Sequence, residues 1–499
     1  MKRSVQIVIL ATVIAFLALI AGFGIFMSAR RPASPPAGLF ASRVDLSAVD
    51  AMPVMTDGRI VTFATHSEAT LRVIAGSASL NGRTSVFDYL DMTFRPERYS
   101  SHPVLFIKNA EFRRELALRI ARAAETAPDD ALSRSIQSLE TERRIAPDVL
   151  NHPSVNAALD RLSADSIRFD EPIRSLRRAA QLSRPDTLEQ LFAFLPPQAA
   201  SDRDRWLPAS ALGGQASNET DAKLIALFES ARTEWRAENA DALRGIFNDL
   251  AVAQREELGR LPDGAFDESR LSWETRYLRW KRLTWIWIVY LLSASALLAS
   301  AVRDNRRIGD AGLGLFGLAF ALNTAMILLR WYVSGRWPSA NLFEAVIACA
   351  WLGGLTTVIL IIAAPRRIAL PFALAASLAS VPALAAAHFL PSALNPSISN
   401  MAPILRDMWL YIHVNITIFS YALMFIGAAS SVIYLLHRLA GGEPDIETDS
   451  FASTLDAVTM GCVKAASVLL FLGAILMGGI WAYVSWGRPW GWEIGRAHV

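Results

Sequence analysis

Hydrophobic positions in this chain fall into long uncharged runs, one near the start and six after residue 282, with helically spaced apolar residues between them. The runs are Ile7 to Met27, Leu283 to Val302, Ala311 to Leu329, Ala345 to Ala364, Ile368 to Ala387, Met408 to Leu436 and Ala465 to Val484. Each is long enough to cross roughly 30 Å of hydrocarbon as a helix. The first follows Lys2 and Arg3 and precedes Arg30, Arg31 and a proline-rich stretch, Pro32 to Pro36. It exceeds the roughly 7–15-residue core of a cleaved signal and reads as an uncleaved anchor. The expected fold class is mainly α: a polytopic membrane helix bundle with seven helices present and a largely helical extracytoplasmic domain after the first.

The intervening stretch opens with short pieces that read as extended, Pro53 to Met55 and Arg59 to Phe63. Apolar residues then recur every three or four positions in Ala110 to Thr126 and in Asp221 to Glu257 (Ile225, Phe228, Leu243, Ile246, Phe247, Leu250). That spacing predicts amphipathic helices, which we expect to pack on each other. The expected domains are an anchor at 1–30, an extracytoplasmic domain at 31–282, a membrane domain at 283–492 and a non-native tail at 493–499.

Charge sets the orientation. Arg303, Arg306 and Arg307, then Arg366 and Arg367, then Arg438 occupy alternate loops, all on the side of Lys2 and Arg3. The positive-inside rule makes that side cytoplasmic and puts 31–282, the loops 330–344 and 388–407, and the C-terminus outside. Lys281 and Arg282 sit against the rule, which carries little weight beside a large translocated domain.

Composition agrees: 53% of the 499 residues are hydrophobic, 19% are charged, and mean hydropathy is +0.29. Of 46 acidic residues, 36 lie between Asp45 and Glu274, so two environments share one chain. A net charge of +3, with no run of more than two basic residues, gives nucleic acid no patch to bind. Cys349 and Cys462 lie in apolar runs and form no Cys-x-x-Cys, which excludes a covalent c-type cytochrome and a thiol oxidoreductase. Phosphate-binding glycine loops and the HExxH zinc motif are absent from the sequence.

Candidate chemistry is confined to the outer ends of the late helices. Residues 481–492 read WAYVSWGRPWGW, which holds Trp481, Trp486, Trp490 and Trp492, four of the chain's 14 tryptophans. An interfacial belt would account for one or two of these. Four, interrupted by Gly487, Pro489 and Gly491, favour a shaped aromatic surface on which a planar apolar ligand stacks. His413 lies five residues inside the helix that starts at Met408, where an imidazole is costly unless partnered or functional. Trp409, four residues earlier, shares its helical face. Haem is a planar ring whose iron accepts imidazole, so an outer-face haem site with His413 as axial ligand is the sharp hypothesis. A satisfied interhelical histidine is the plain alternative. His388 is a second candidate ligand or an interfacial cap. Arg336, next to Trp337 in SGRWPSANLFEA, would meet a propionate or be an ordinary interfacial arginine. His437 belongs with the positive-inside signal, and His66, His102 and His152 have no metal-ligand spacing.

The strings GRWPSANLFEA (335–345), WLYIHV (409–414) and WAYVSWGRPWGW (481–492) resemble the CcsA/ResC-type cytochrome c biogenesis proteins of the haem-handling superfamily that includes CcmC and CcmF. The resemblance runs from about Thr284 to Trp492. A weaker likeness, Pro53 to Gly76, is to an extracytoplasmic piece of fused relatives. The resemblance implies presentation of haem b on the outer face of a bacterial inner membrane and its covalent attachment to an apocytochrome c Cys-x-x-Cys-His motif. It also implies a haem lyase subunit with a CcsB/ResB-like membrane partner. His413 matches an outer haem-ligand histidine, and Trp481, Trp486, Trp490 and Trp492 match the haem-contacting loop. The family continues with an aspartate and two further helices carrying a second outer ligand, whereas this sequence has Glu493 and the tail EIGRAHV. We therefore expect a C-terminal truncation with an assembly-derived tail. Haem delivery to a chaperone, as in the CcmC branch, and a non-enzymatic membrane-anchored binding or sensor protein are the alternative functions.

Overall fold

The computed structural model describes residues 38–489 except 81, 127–128, 197–205, 209, 211–218, 261–265, 304, 364, 392, 399–406 and 442–449. The run Ile7 to Met27, Trp490, Trp492 and the tail 493–499 lie outside the described residues. Those described form two compact units, one ending at Arg276 and one beginning at Tyr277.

The first unit starts with short helices α1 (Gly38–Arg43) and α2 (Ser47–Asp50). The two extended pieces pair as an antiparallel hairpin, β1 (Pro53–Thr56) with β2 (Arg59–Thr62), in the register Pro53↔Thr62. Asp57 and Gly58 take φ of 49° and 72°, the doubly positive turn whose twist suits a two-residue hairpin. The Thr62 side chain then caps α3 (Phe63–Ala75) by accepting from Thr65 N, so Phe63 is helical rather than extended. Gly76 ends α3 at φ +68°, and a Cβ there would meet the Phe106 ring at 2.4 Å.

Helices α4 (Ser85–Phe94), α5 (Ala110–Thr126), α6 (Asp130–Thr141), α7 (Pro153–Ser163), α8 (Ser166–Leu182) and α9 (Pro185–Leu191) follow, then α10 (Glu219–Arg236), α11 (Ala240–Leu258) and α12 (Glu268–Arg279). The two-residue strands β3 (Leu105–Phe106) and β4 (Arg144–Ile145) pair antiparallel. The stretch Asp221 to Glu257 is two helices, broken where Glu238 adopts φ 56° and Asn239 caps α11. These two pack on each other as a hairpin, but α5 packs chiefly on α6 and α7. The expectation that the 110–126 and 221–257 helices pack together is corrected here, because short connections favour chain neighbours.

Two polar groups sit inside this unit's aromatic core. Asp91 accepts from the Trp235 indole and from Tyr99 and pairs with Arg95. His66 accepts through Nδ1 from the Thr56 hydroxyl at 2.7 Å, and its Nε2–H donates to the Tyr89 oxygen at 3.0 Å. Tyr89 donates in turn to Leu188 O, which fixes those roles. Burial pushes the His66 imidazole down to about 4.

The second unit is an α-helical bundle: α13 (Trp287–Arg303), α14 (Arg306–Ser334), α15 (Leu342–Ala363), α16 (Arg366–Phe389), α17 (Met408–Gly441), α18 (Ser450–Leu470) and α19 (Gly478–Trp486). A π-helical segment, Phe471–Met477, joins the last two into one span. Six helical stretches are long and apolar enough to cross a membrane among the described residues. The protein is thus a mainly α, multi-pass membrane protein. The last span begins well before the apolar run from Ala465, because Ser450 to Lys464 is amphipathic and packs on α17. There Ser430 donates to Leu455 O, and a Cβ on Gly427 would stand 3.2 Å from Cys462 Cβ. Small residues let these backbones approach.

His66 should cost the first unit stability in mild acid. The unfolded His66 takes up a proton near pH 6.5 while the folded one does so only near 4. Its contribution is therefore full above the upper value and falls across that window by about 3 kcal/mol. Asp50 and Asp88, which burial raises to about 6 and about 7, act in the opposite sense, so the histidine is read against a variant that keeps both. From pH 7.5 to 4.5 the first unit's thermal midpoint in wild type should fall relative to that of His66→Gln. Parallel pH profiles would contradict a buried neutral imidazole.

Candidate functional site

His413 lies on the second turn of α17, half-buried. Its Nδ1–H donates to Gly473 O in the π-helical segment at 2.8 Å. A carbonyl can only accept, so the proton is on Nδ1 and the Nε2 lone pair is available to a metal. No hydrogen bond to Nε2 occurs among the described residues. The π segment makes this contact possible by widening the turn. A Cβ on Gly478 would lie 2.9 Å from His413 Cε1, and one on Gly473 would lie 2.7 Å from Ile416 Cγ2. Both glycines are required for the two helices to close around the imidazole.

Trp481 stands on α19 one turn beyond Gly478. Its ring is parallel to His413, at 7° with centroids 6.5 Å apart, and Trp486 meets it edge-on at 4.8 Å. Trp481 and Leu410 form a small buried cluster with Ala340, Tyr411, Val414 and Trp486 around them. The loop before α15 therefore packs on this cluster through Ala340.

That loop is built on a buried ion cluster. Glu344, fully buried in the first turn of α15, receives Arg330 Nε at 2.8 Å and Arg336 Nη1 at 2.8 Å. It also accepts the Ala340 backbone N–H at 2.7 Å. Arg330, equally buried, donates to Pro396 O at 2.9 Å and to the Tyr277 hydroxyl at 3.3 Å. Asn341 caps Glu344 N and reaches Ser397 O. Trp337 donates its indole N–H to Asn415 Oδ1 at 2.8 Å, which ties the loop to α17 two residues beyond His413.

Of the residues singled out in the sequence, His413, Trp481 and Trp486 come together. Trp337 joins them through Asn415, lying edge-on to Trp331 and Trp351. Arg336 is held by Glu344. Trp409 is on an exposed face of α17, at 37% exposure. His388 bonds through Nδ1 to Thr284 Oγ1 at 2.8 Å and packs on Phe389. Thr284 donates to Lys281 O, so His388 also carries its proton on Nδ1. Sequence reasoning missed Arg330, Glu344, Asn415 and Gly473. Lone ionisable residues at the edges of two apolar runs were a legible signal for the first two. Nothing in the sequence marks Gly473 as a hydrogen-bond acceptor.

Fold and site define a polytopic membrane protein in which one end of the helix bundle holds an imidazole parallel to an indole ring. A family model described as Cytochrome C assembly protein matches residues 339–494. The chain is 32% identical over 204 residues to Protein NrfI of Wolinella succinogenes, covering 41% of this chain and 22% of that protein. It is 30% identical over 183 residues to the cytochrome c biogenesis protein CcsA of Chlamydomonas reinhardtii, covering 36% and 50%. It is also 30% identical over 231 residues to CcsA of a Synechococcus strain, covering 41% and 74%. The chain belongs to the CcsA-type cytochrome c biogenesis family. It spans about a fifth of the first of these relatives and half of the second.

Removing one partner of a buried, hydrogen-bonded ion cluster strands the others, at about 3–5 kcal/mol. Glu344→Ala should therefore lower the thermal midpoint of the solubilised protein by many degrees, and Glu344→Gln by less. An unchanged midpoint in Glu344→Ala would show that the cluster does not hold the loop.

Proposed function

We propose that the chain presents haem at the outer face of the membrane for covalent attachment to an apocytochrome c bearing Cys-x-x-Cys-His. The observation that carries this reading is the His413 Nδ1–H bond to Gly473 O, which leaves Nε2 as a preformed ligand beside the parallel Trp481 ring. The residues fit haem b: an imidazole for the iron, indoles for the porphyrin face, and Arg336 near the same loop for a propionate. Trp490 and Trp492, outside the described residues, are haem-contacting residues in this reading, and Trp409, Trp337 and His388 are further candidates.

Haem is the substrate here. In attachment, each cysteine S–H adds across a vinyl C=C, forming a C–S bond and placing the proton on the neighbouring carbon, with no net change of electrons. The chain's contribution is positional. His413 and the tryptophans hold the ring still while the thiols approach, which makes the addition effectively unimolecular. The backbone carbonyl behind His413 keeps the ligand in the correct tautomer and raises its basicity. In this reading the 31–282 domain faces the periplasm of a bacterial inner membrane, a CcsB/ResB-like subunit is the membrane partner, and a second iron ligand comes from elsewhere.

Protein purified from membranes should carry a low-spin haem spectrum. His413→Gly should lose it, and added imidazole should restore it, because the cavity left behind admits the free ligand. Trp481→Ala should lower haem content without abolishing the band. Haem-free wild-type protein, or His413→Gly with an unaltered spectrum, would defeat the proposal and leave the tryptophans as a membrane belt.

A further inference from the structure

Asn323 stands in α14 within the apolar run Ala311 to Leu329, and its side chain is wholly buried. It lies two turns, roughly 10 Å, from Arg330 on the same buried face of that helix. Neither its Oδ1 nor its Nδ2 has a hydrogen-bond partner among the described residues. The hydroxyl of Tyr290 on α13, equally buried, has none either. The two side chains are close enough for the amide to act on the hydroxyl, yet they do not meet in the geometry of a direct hydrogen bond.

The polar groups around the pair are already engaged. Ser293, one turn along α13, donates to Gly312 O at 2.9 Å. Thr324, beside Asn323, donates to Phe320 O and accepts the Trp351 indole N–H at 3.0 Å. The third helix, α15, meets the pair with a glycine. A Cβ on Gly354 would stand 3.3 Å from Tyr290 Oη and 2.7 Å from Phe320 Cδ2, so the hydroxyl has its place because that Cβ is missing. Three helices thus converge on an amide and a phenol that between them offer three donors and the lone pairs of two oxygens. In a bundle that crosses hydrocarbon, leaving all of these unmet is costly.

We infer that Asn323 and Tyr290 form a binding site for a water molecule, which bridges the amide of α14 to the hydroxyl of α13 against Gly354. Buried polar atoms that face one another without a direct bond are the setting in which an ordered water is held. Water supplies two donors and two acceptors to a pair that needs both kinds. The bridge fastens α13 to α14 two turns from Arg330, so the face of α14 that enters the ion cluster is fixed at a second depth. Neither residue belongs to the His413 site.

The test is radiolytic footprinting of the full chain in detergent, in water enriched in heavy oxygen. A short X-ray pulse turns a water held against a ring into a hydroxyl radical that oxidises that ring, and mass spectrometry locates the heavy oxygen. With a radical scavenger in the bulk solvent, label at the exposed Tyr483 should be suppressed, whereas the buried Tyr290 should keep it. Asn323→Leu, of nearly the same shape, should lose the Tyr290 label, because one hydroxyl does not retain a buried water. Asn323→Ser, which keeps an oxygen and adds space, should retain it. An unlabelled Tyr290 in wild type would overturn the site and leave a dry polar pair, a result that stands whether or not either variant folds. Label that survives in Asn323→Leu, or disappears in a folded Asn323→Ser, would overturn it as well.

Discussion

The Glu344 carboxylate is the point from which one end of the membrane helix bundle is arranged. It receives two guanidinium groups and a backbone N–H, and its neighbours Arg330 and Asn341 collect the carbonyls of Pro396 and Ser397. Four segments meet there: the end of α14, the 335–341 loop, the start of α15 and the loop after α16. In hydrocarbon such a group is tolerated only when every lone pair is used. That requirement leaves the loop few conformations, and the loop delivers Ala340 to the Trp481 cluster and Trp337 to Asn415. Rigidity at the imidazole is inherited from a carboxylate on a neighbouring helix.

The cluster also divides its two arginines by depth. Arg330 is wholly inside, while Arg336 keeps 14% of its side chain exposed. The inner guanidinium ties α14 to the loop after α16, and the outer one ties the 335–341 loop to the start of α15.

The membrane helices were legible because twenty apolar residues in sequence have few alternatives. Their far ends were not. Ser450 to Lys464 mixes Asp456 and Lys464 with apolar residues, and only the pairing with α17 makes it a continuation of the span. The 221–257 stretch shows the converse: its periodicity is unbroken by eye, yet Glu238 in the left-handed region splits it. His413 was readable as a costly polar residue in a membrane helix, and Trp481 and Trp486 as part of a cluster. Their mutual geometry was not, since it depends on a π-helical turn that brings Gly473 O to an imidazole sixty residues away.

That turn joins local backbone to chemistry. A regular α-helix through Phe471–Met477 would pair each carbonyl with the amide four residues on and set a different rotation for α19. With the wider turn, Gly478 N–H reaches back to Gly473 O, and the same oxygen still accepts from His413 with its second lone pair. The rotation that follows turns Trp481 parallel to the ring it faces. One irregular turn, permitted by two glycines that cannot carry a Cβ, thus sets both the tautomer of His413 and the plane of its aromatic neighbour. A substitution at Gly473 or Gly478 would disturb both together, although neither glycine has a side chain to offer a ligand.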